Sequence, residues 1–448
     1  MFKFIFLILS NILAYSILNN RIVDDFGRER IFHGVNVIYK KQPWHPIIDR
    51  FDYIKSFNDD DIKIIKDLGL NIVRLGVMWP GVEPNKGYYN LTYLNIMKSI
   101  VDRLNNSNIY VLIDFHQDVL SEYFCGEGIP DWILNNSNFP FPLNNAYNKT
   151  GKPSEDYCLS LNWIDYQFTY YAGKVYQQLY TDPMLINYFL GYWNIVIQTF
   201  KYSQNVIGYE IMNEPWAGNI YEDPLLLFPE YSDKKYLQSF YNKIYNNISS
   251  ILNNKLLFFE SITWDIYGVG FEYSPCNNTN SCVLSYHCYF PPAISVKQLF
   301  TVRMKDIIRL NIGGFLTEMG ETNILDVLNY SDYYFQSWTV WQYKLYSNIT
   351  GDSSMFYYNN GTVMNSTQNL NRVYPIALCG HGIYFNYNKM NCKLVYLNNP
   401  KCLGNTEIFI KNYSNISINY NLTKYIINNI LYIKPHKNVI NISIIIFF

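Results

Sequence analysis

No part of this sequence is strongly basic: 35 lysines and arginines stand against 36 aspartates and glutamates, a formal net charge of −1. The phosphate-neutralising surface that nucleic-acid binding needs is therefore missing. Metal motifs are missing too. Asp114, His116, Asp118 and His287 are ligand types, but their spacing matches neither an H-E-x-x-H helix nor a paired-cysteine zinc site, so no catalytic metal is expected. Past Ser16 no apolar run approaches the ~20 residues that a membrane span requires. The N-terminal run is itself too short. Met1-Phe-Lys3, the apolar Phe4 to Leu13 and Ala14-Tyr-Ser16 have the charged start, greasy middle and small-residue end of a secretory signal. Cleavage is expected after Ser16, and the destination is the exterior or the endolysosomal lumen.

An oxidising destination makes the eight cysteines legible as disulfide partners. Spacing alone fixes no connectivity, but Cys125 with Cys158 and Cys276 with Cys282, all in loop-like sequence, are the expected pairs. Cys288, flanked by His287 and Tyr289, reads as a small buried hydrophobe rather than a nucleophile. Asn-x-Ser/Thr acceptors at Asn90, Asn148, Asn348 and Asn421 fit a glycoprotein. Charged residues are only 16% of the chain and hydrophobic ones 49%, so a large buried core is feasible.

The length of 448 residues suits one large domain with an appendage. Short apolar runs at 31–37, 71–77, 109–115, 206–212, 256–260, 282–287, 313–318 and 336–341 alternate with longer helix-like stretches. The clearest helix opens at Asn58 with three aspartates and closes at Gly69. Eight βα units predict an α/β fold, a (β/α)8 TIM barrel over residues 17–358. From Asn359 the pattern changes to short β-prone runs, Lys393 to Leu397, Thr406 to Ile410, Tyr425 to Ile433 and Val439 to Phe447. These predict a C-terminal antiparallel β-sandwich over 359–448.

Two of the apolar strands end in carboxyls. Val206-Ile-Gly-Tyr-Glu-Ile-Met-Asn213-Glu214-Pro215 delivers Glu214 to the open end of the fourth strand, and Gly313-Gly-Phe-Leu-Thr-Glu318 delivers Glu318 to that of the seventh. Strand ends are where such barrels keep their active sites. A carboxyl at the mouth of an apolar strand has a raised pKa unless paired, which suits a proton donor. Asn213 offers a donor and an acceptor for a substrate hydroxyl. Glu210 lies deeper and reads as structural, while Glu260, closing the fifth strand, could contact a sugar.

With its Asn213-Glu214-Pro215 and the later Glu318, the chain resembles the retaining glycosidases of glycoside hydrolase family 5, and more narrowly the endoglycoceramidases. Similar to segments of the latter are Val35-Asn36-Val37-Ile-Tyr-Lys40, Arg74-Leu-Gly-Val-Met-Trp79-Pro80, Asp114-Phe-His116-Gln117-Asp118, Gly126-Glu-Gly128-Ile-Pro130-Asp131-Trp132 and Arg372-Val-Tyr374-Pro375. The resemblance implies that Glu214 is the acid/base and Glu318 the nucleophile, with Arg74 supporting Glu318 through charge-assisted hydrogen bonds. It also implies substrate contacts from Lys40, Asp114, His116, Asn213, Tyr289, which resembles the tyrosine that bonds the nucleophile, and Trp341, which resembles the tryptophan under the sugar. Alternation lets only one of Trp338 and Trp341 reach the pocket. The activity so implied needs no cofactor: a monomeric enzyme cleaves between glycan and ceramide in glycosphingolipids at a membrane or micelle surface. A glucosylceramidase-like or steryl-glucosidase relative, an endo-β-glucanase and a glycolipid-binding protein without turnover remain open.

Overall fold

Strands buried on both faces need helices outside and one another inside, and here they close on themselves. The computed structural model describes residues 14–134, 152–162, 165, 167–264, 266–289, 294–347 and 353–448. Its parallel strands are His33–Val37, Ile72–Gly76, Tyr110–Asp114, Val206–Glu210, Leu256–Glu260, Cys282–Cys288, Gly313–Met319 and Ser337–Val340. Each pairs with the next, and the eighth returns to the first, giving a closed barrel. All eight expected runs are present, shifted by a residue or two at their ends. The expected helix is Asp59–Asp67, started by a reciprocal capping box between Asn58 and Asp61. Among the described residues no helix is long and apolar enough to cross a membrane.

The chain beyond the barrel forms two antiparallel sheets, as the C-terminal pattern predicts. One has four strands, in the order Gly380–Tyr387, Asn391–Asn398, Asn441–Phe447 and Asn415–Ile418. The other has seven, in the order Tyr15–Leu18, Arg21–Asp24, Glu29–Arg30, Tyr374–Leu378, Thr406–Phe409, Ile430–Ile433 and Lys424–Ile427. Leu378, Ile408 and Leu431 of the larger sheet share a core with Phe385, Leu394 and Ile444 of the smaller. The run Tyr425 to Ile433, read as one strand, is a hairpin. Asn428 and Asn429 both take positive φ, 49° and 63°, the backbone of a two-residue turn that asparagine tolerates.

The N-terminus departs most from expectation. Residues 14–30, expected in the signal and the barrel, supply three strands of the C-terminal domain's larger sheet. Tyr15 and Ile17 are buried against Phe32, Phe258 and Phe315, plugging the barrel floor. Cleavage after Ser16 would divide the strand Tyr15–Leu18 and remove Tyr15 from that plug. The preceding part of the expected signal lies outside the described residues, as do Asn148 and Asn348.

Disulfides join Cys125 to Cys158 and Cys276 to Cys282, as expected, and Cys379 to Cys402. Cys288 is buried and free, and its burial pushes the thiol up to about 12, so no thiolate forms near neutrality.

Barrel and sandwich meet at a dense seam. His33 is stacked between Trp338 and Tyr374, with ring centroids 4.3 and 3.7 Å away. The Tyr374 hydroxyl donates to the Gly69 carbonyl at 2.8 Å. Gly69 ends its helix at φ 80°, and a Cβ there would lie 2.2 Å from the Phe409 ring. Gly69→Ala should therefore destabilise the protein by about 2–4 kcal/mol, the sum of left-handed strain and overpacking. Chemical denaturation of the purified variant measures it, and a change under about 0.5 kcal/mol, the scale of an ordinary surface substitution, would show that the seam adjusts freely.

Candidate active site

The fourth strand ends at Glu210, and the chain runs on through Ile211 and Met212 to Asn213 and Glu214 at the barrel mouth. Glu214 sits at φ 38°, a left-handed backbone that costs a side-chain-bearing residue energy and persists only when its surroundings impose it. Here they do. The Gln117 amide donates to the carbonyls of Asn213 and Glu214 at 2.6 and 2.9 Å. Tyr176 fixes Gln117 in turn by donating to its side-chain oxygen at 2.6 Å. Glu260 accepts the Glu214 N–H at 2.8 Å. Glu260, a candidate sugar contact from its strand-end position, is thus buried beneath the site and spent on its backbone. Burial pushes its carboxyl well above the usual range, and Glu214 and Glu210 push it further.

The two strand-end carboxyls live in opposite surroundings. Glu318 receives two donors: Arg74 Nη1 on Oε1 at 2.6 Å and the Tyr289 hydroxyl on Oε2 at 2.7 Å. Glu214 faces His287, whose Nδ1 is 2.7 Å from Oε1. Burial first, then the charge of Asp118, raise the Glu214 carboxyl to about 7, against the lowering pull of His116, Lys40 and Arg74. Burial also pulls His287 down to about 4, overcoming the pull of Glu318 in the other direction, so near neutrality the imidazole is uncharged. A carboxyl whose pKa is raised by burial and one held by two hydrogen-bond donors therefore share one mouth. One oxygen of each, and a His287 ring nitrogen, lie within 4.8 Å of one another.

Beneath them is Arg74, fully buried. Its Nε pairs with Glu210, Nη2 donates to Asn213 Oδ1 at 2.7 Å, and Nη1 also reaches Asn36 Oδ1 at 3.0 Å. Asp114 lies 3.2 Å away.

A family model for the cellulases of glycosyl hydrolase family 5 matches residues 50–361. An endoglycoceramidase of Cyanea nozakii is 40% identical over 395 residues, 83% of this chain and 78% of its own. One from Hydra vulgaris is 37% identical over 437 residues, 94% of this chain and 84% of its own. The chain belongs to glycosyl hydrolase family 5. Within that family it falls with the endoglycoceramidases. The fold agrees with that of endoglycoceramidase II from Rhodococcus sp., solved in complex with ganglioside GM3. That structure has a TM-score of 0.77 at 17% identity, over 94% of this chain and 98% of that one.

Of the family-derived candidates, Asn213, Glu214, Tyr289 and Glu318 meet at the mouth, with Arg74 beneath them. Trp341 lies beside them, its indole stacked on His116 at 5.1 Å, with the Lys40 ammonium 4.5 Å from the ring centroid. Trp338 faces the other way, onto His33. Asp114, expected to contact substrate, does not face the cleft: it is fully buried, with one oxygen toward Arg74 and the other 2.9 Å from His116 Nδ1. It positions both cations instead. Burial lowers the His116 pKa, but Asp114 and Asp118 outweigh that and raise it to about 9, so the ring is an imidazolium at neutral pH. Lys40 is paired with Asp118 and lies 3.5 Å from Glu127. His116, Asp118 and Glu127 have the reach of a metal cluster, but the cation their carboxylates meet is the Lys40 ammonium.

His287 was read only as a ligand type, and Gln117 was not singled out by itself. Strand alternation gives a signal for the first, since Ser285, His287 and Tyr289 share a face and Tyr289 was already a candidate. Nothing local marks Gln117 for this role, since Tyr176, Asn213 and Glu214 are 59, 96 and 97 residues away.

Removing the charge of Arg74 leaves Glu210 and Glu318 buried without this counter-ion and Asp114 with His116 alone. Arg74→Met should cost about 3–5 kcal/mol of stability in denaturant unfolding. A loss under about 1 kcal/mol, within the range of an exposed ion pair, would mean that the cluster is not held by this guanidinium.

Proposed function

We propose that this protein is a retaining endoglycosidase that hydrolyses the β-glycosidic bond between oligosaccharide and ceramide. The observation that carries the reading is the opposed pair of carboxyls at the barrel mouth. Glu214, raised to about 7, holds a proton in mildly acidic solution and gives it to the departing ceramide oxygen. Glu318, whose oxygens are oriented by Arg74 and Tyr289, attacks the anomeric carbon, and the bond to the departing oxygen breaks. Glu214, now a carboxylate, takes a proton from water. That water displaces Glu318 and restores both groups. One oxygen of Glu214 and one of Glu318 lie within 4.8 Å of each other, too close for Glu318 to seat a water between itself and the sugar, which supports retention over inversion.

Asn213 is turned by Arg74 and the Gln117 carbonyl so that its amide can reach a sugar hydroxyl, and Trp341 offers the sugar an apolar face. The reaction draws on no cofactor. The substrate class rests on the endoglycoceramidase relatives, one of whose structural counterparts holds ganglioside GM3. Three disulfides and the apolar N-terminus support a secreted or endolysosomal enzyme. The deciding experiment offers ganglioside, glucosylceramide and soluble β-glucan in parallel; intact oligosaccharide released from ganglioside is expected. Release only from glucan or only of single glucose units would reject this substrate class.

Glu318→Gln removes the covalent step and little else. Its kcat should fall at least about 1,000-fold, with thermal unfolding nearly unmoved; more than a tenth of wild-type turnover would exclude Glu318 as nucleophile. The first-formed sugar should be the β-anomer, and proton NMR of fresh hydrolysate reads it before mutarotation.

The pH profile follows from Glu214. Its proton is in place below about pH 7 and lost above, so kcat/KM should decline as pH rises through 7. Glu214→Gln should abolish that basic limb along with most activity toward ceramide glycosides. A wild-type profile flat to pH 9 would contradict a general acid at this position.

A further inference from the structure

Ten residues after Glu214 the chain builds a short exposed turn whose chemistry the reaction does not use. Pro224–Leu227 is one turn of 3-10 helix, capped by Asp223, whose carboxylate accepts the Leu225 N–H at 3.2 Å. Leu226 points inward and is fully buried. Its neighbours Leu225, Leu227 and Phe228 point outward, 50%, 46% and 62% exposed. Tyr221, 55% exposed, and Phe168, 43% exposed, extend the apolar surface, linked by the Tyr221 hydroxyl on the Phe168 carbonyl at 2.5 Å. Phe168 in turn meets Trp216 edge-on at 5.3 Å, two residues from Glu214. Aromatic packing and one hydrogen bond thus link the buried Trp216, two residues from Glu214, to the exposed Phe168 and Tyr221.

A rigid turn that buries one leucine in order to hold two others and a phenylalanine in water is unfavourable unless something covers it. The direction of the chemistry identifies what does. Glu214 protonates the leaving oxygen, so the aglycone leaves on the Glu214 side, and a ceramide's chains stand in a bilayer. The lysines beside the turn are already paired, Lys235 with Asp223 and Lys234 with Glu272, each at 2.5 Å, while Glu222 accepts from the Tyr170 hydroxyl at 2.5 Å and keeps its negative charge. With those lysines neutralised and Glu222 anionic, the surface suits a zwitterionic bilayer rather than an anionic one or an acidic protein. Tyr221 has the amphipathic ring that settles at a headgroup boundary.

We propose that Leu225, Leu227 and Phe228 form a wedge that docks the barrel mouth on a zwitterionic phospholipid surface, Glu214 side down. The wedge rests on the proposed reading of Glu214 as the acid/base in ceramide release. It is tested with the full chain carrying Leu225→Ser, Leu227→Ser and Phe228→Ser together, whose exposed positions leave the core and the site untouched. Three measurements are compared with wild type: co-sedimentation with pure phosphatidylcholine vesicles, cleavage of ganglioside embedded in them, and cleavage of a water-soluble aryl β-lactoside.

The variant should lose vesicle binding and vesicle-borne turnover by about tenfold or more, as removal of three inserting side chains implies, and keep its rate on the soluble glycoside. Wild-type binding should survive 1 M salt, since screening at that strength leaves apolar contacts intact. Unchanged vesicle binding by the variant, or an equal loss on both substrates, overturns the proposal. So does wild-type binding that salt abolishes or that requires an added protein. Wild type that binds vesicles through the wedge yet cleaves neither glycoside supports the docking surface and rejects the glycosidase reading instead.

Discussion

Arg74 is a guanidinium with no access to water, surrounded by Asp114, Glu210, Glu318, Asn36 and Asn213 from four other barrel strands or their ends. Taking such a charge out of water costs several kcal/mol, and it stays buried only because so many acceptors converge on it. Convergence of that kind demands a closed barrel, since residues from the first, third, fourth and seventh strands must reach one point beside the second. The barrel in turn is held in register by the same cluster. Site and scaffold are therefore one structure, and the orientation of Glu318 and Asn213 is a consequence of neutralising one buried cation.

From that centre the site divides its charges. Around Glu318 are donors, Arg74 and Tyr289; around Glu214 are burial and an uncharged His287. A second group, His116 with Lys40, Asp114 and Asp118, sits against Trp341 and keeps two cations among carboxylates. Identical side chains acquire different surroundings, since one is met by fixed donors and the other by burial and a negative neighbour that raise its pKa. The left-handed backbone at Glu214, clamped by Gln117 and Glu260, shows how much local structure is devoted to aiming that one carboxyl.

The sandwich is more than an appendage. Its larger sheet incorporates strands from the N-terminus, with Glu29 and Arg30 paired to Leu378 and Ala377, and Tyr15 and Ile17 stop the floor. Tyr374, His33 and Phe409 lock the two bodies together through aromatic contact and one hydrogen bond to Gly69. A rigid floor matters to the mouth because all eight strands pass from one to the other.

The sequence alone determined the features written in local periodicity and local chemistry. Eight apolar runs become eight barrel strands because strands covered on both faces need no other pattern, and Asn58 with Asp61 starts a helix wherever it falls. Glu214 and Glu318 were visible because each terminates such a run. Tertiary structure decided what depends on partners far along the chain. Pairing of residues 15–30 with the sheet of residues 374–433 has no local signature, which is why a leader-like segment conceals a strand. Asp114 and Glu260 carried the right chemistry for sugar contacts, but whether a carboxyl faces a cleft or a buried neighbour is set by what packs against it. His287 and Gln117 acquire their roles only when the ends of strands three, four and six are brought within hydrogen-bond distance, because proton affinity and backbone strain belong to assembled environments and not to residues.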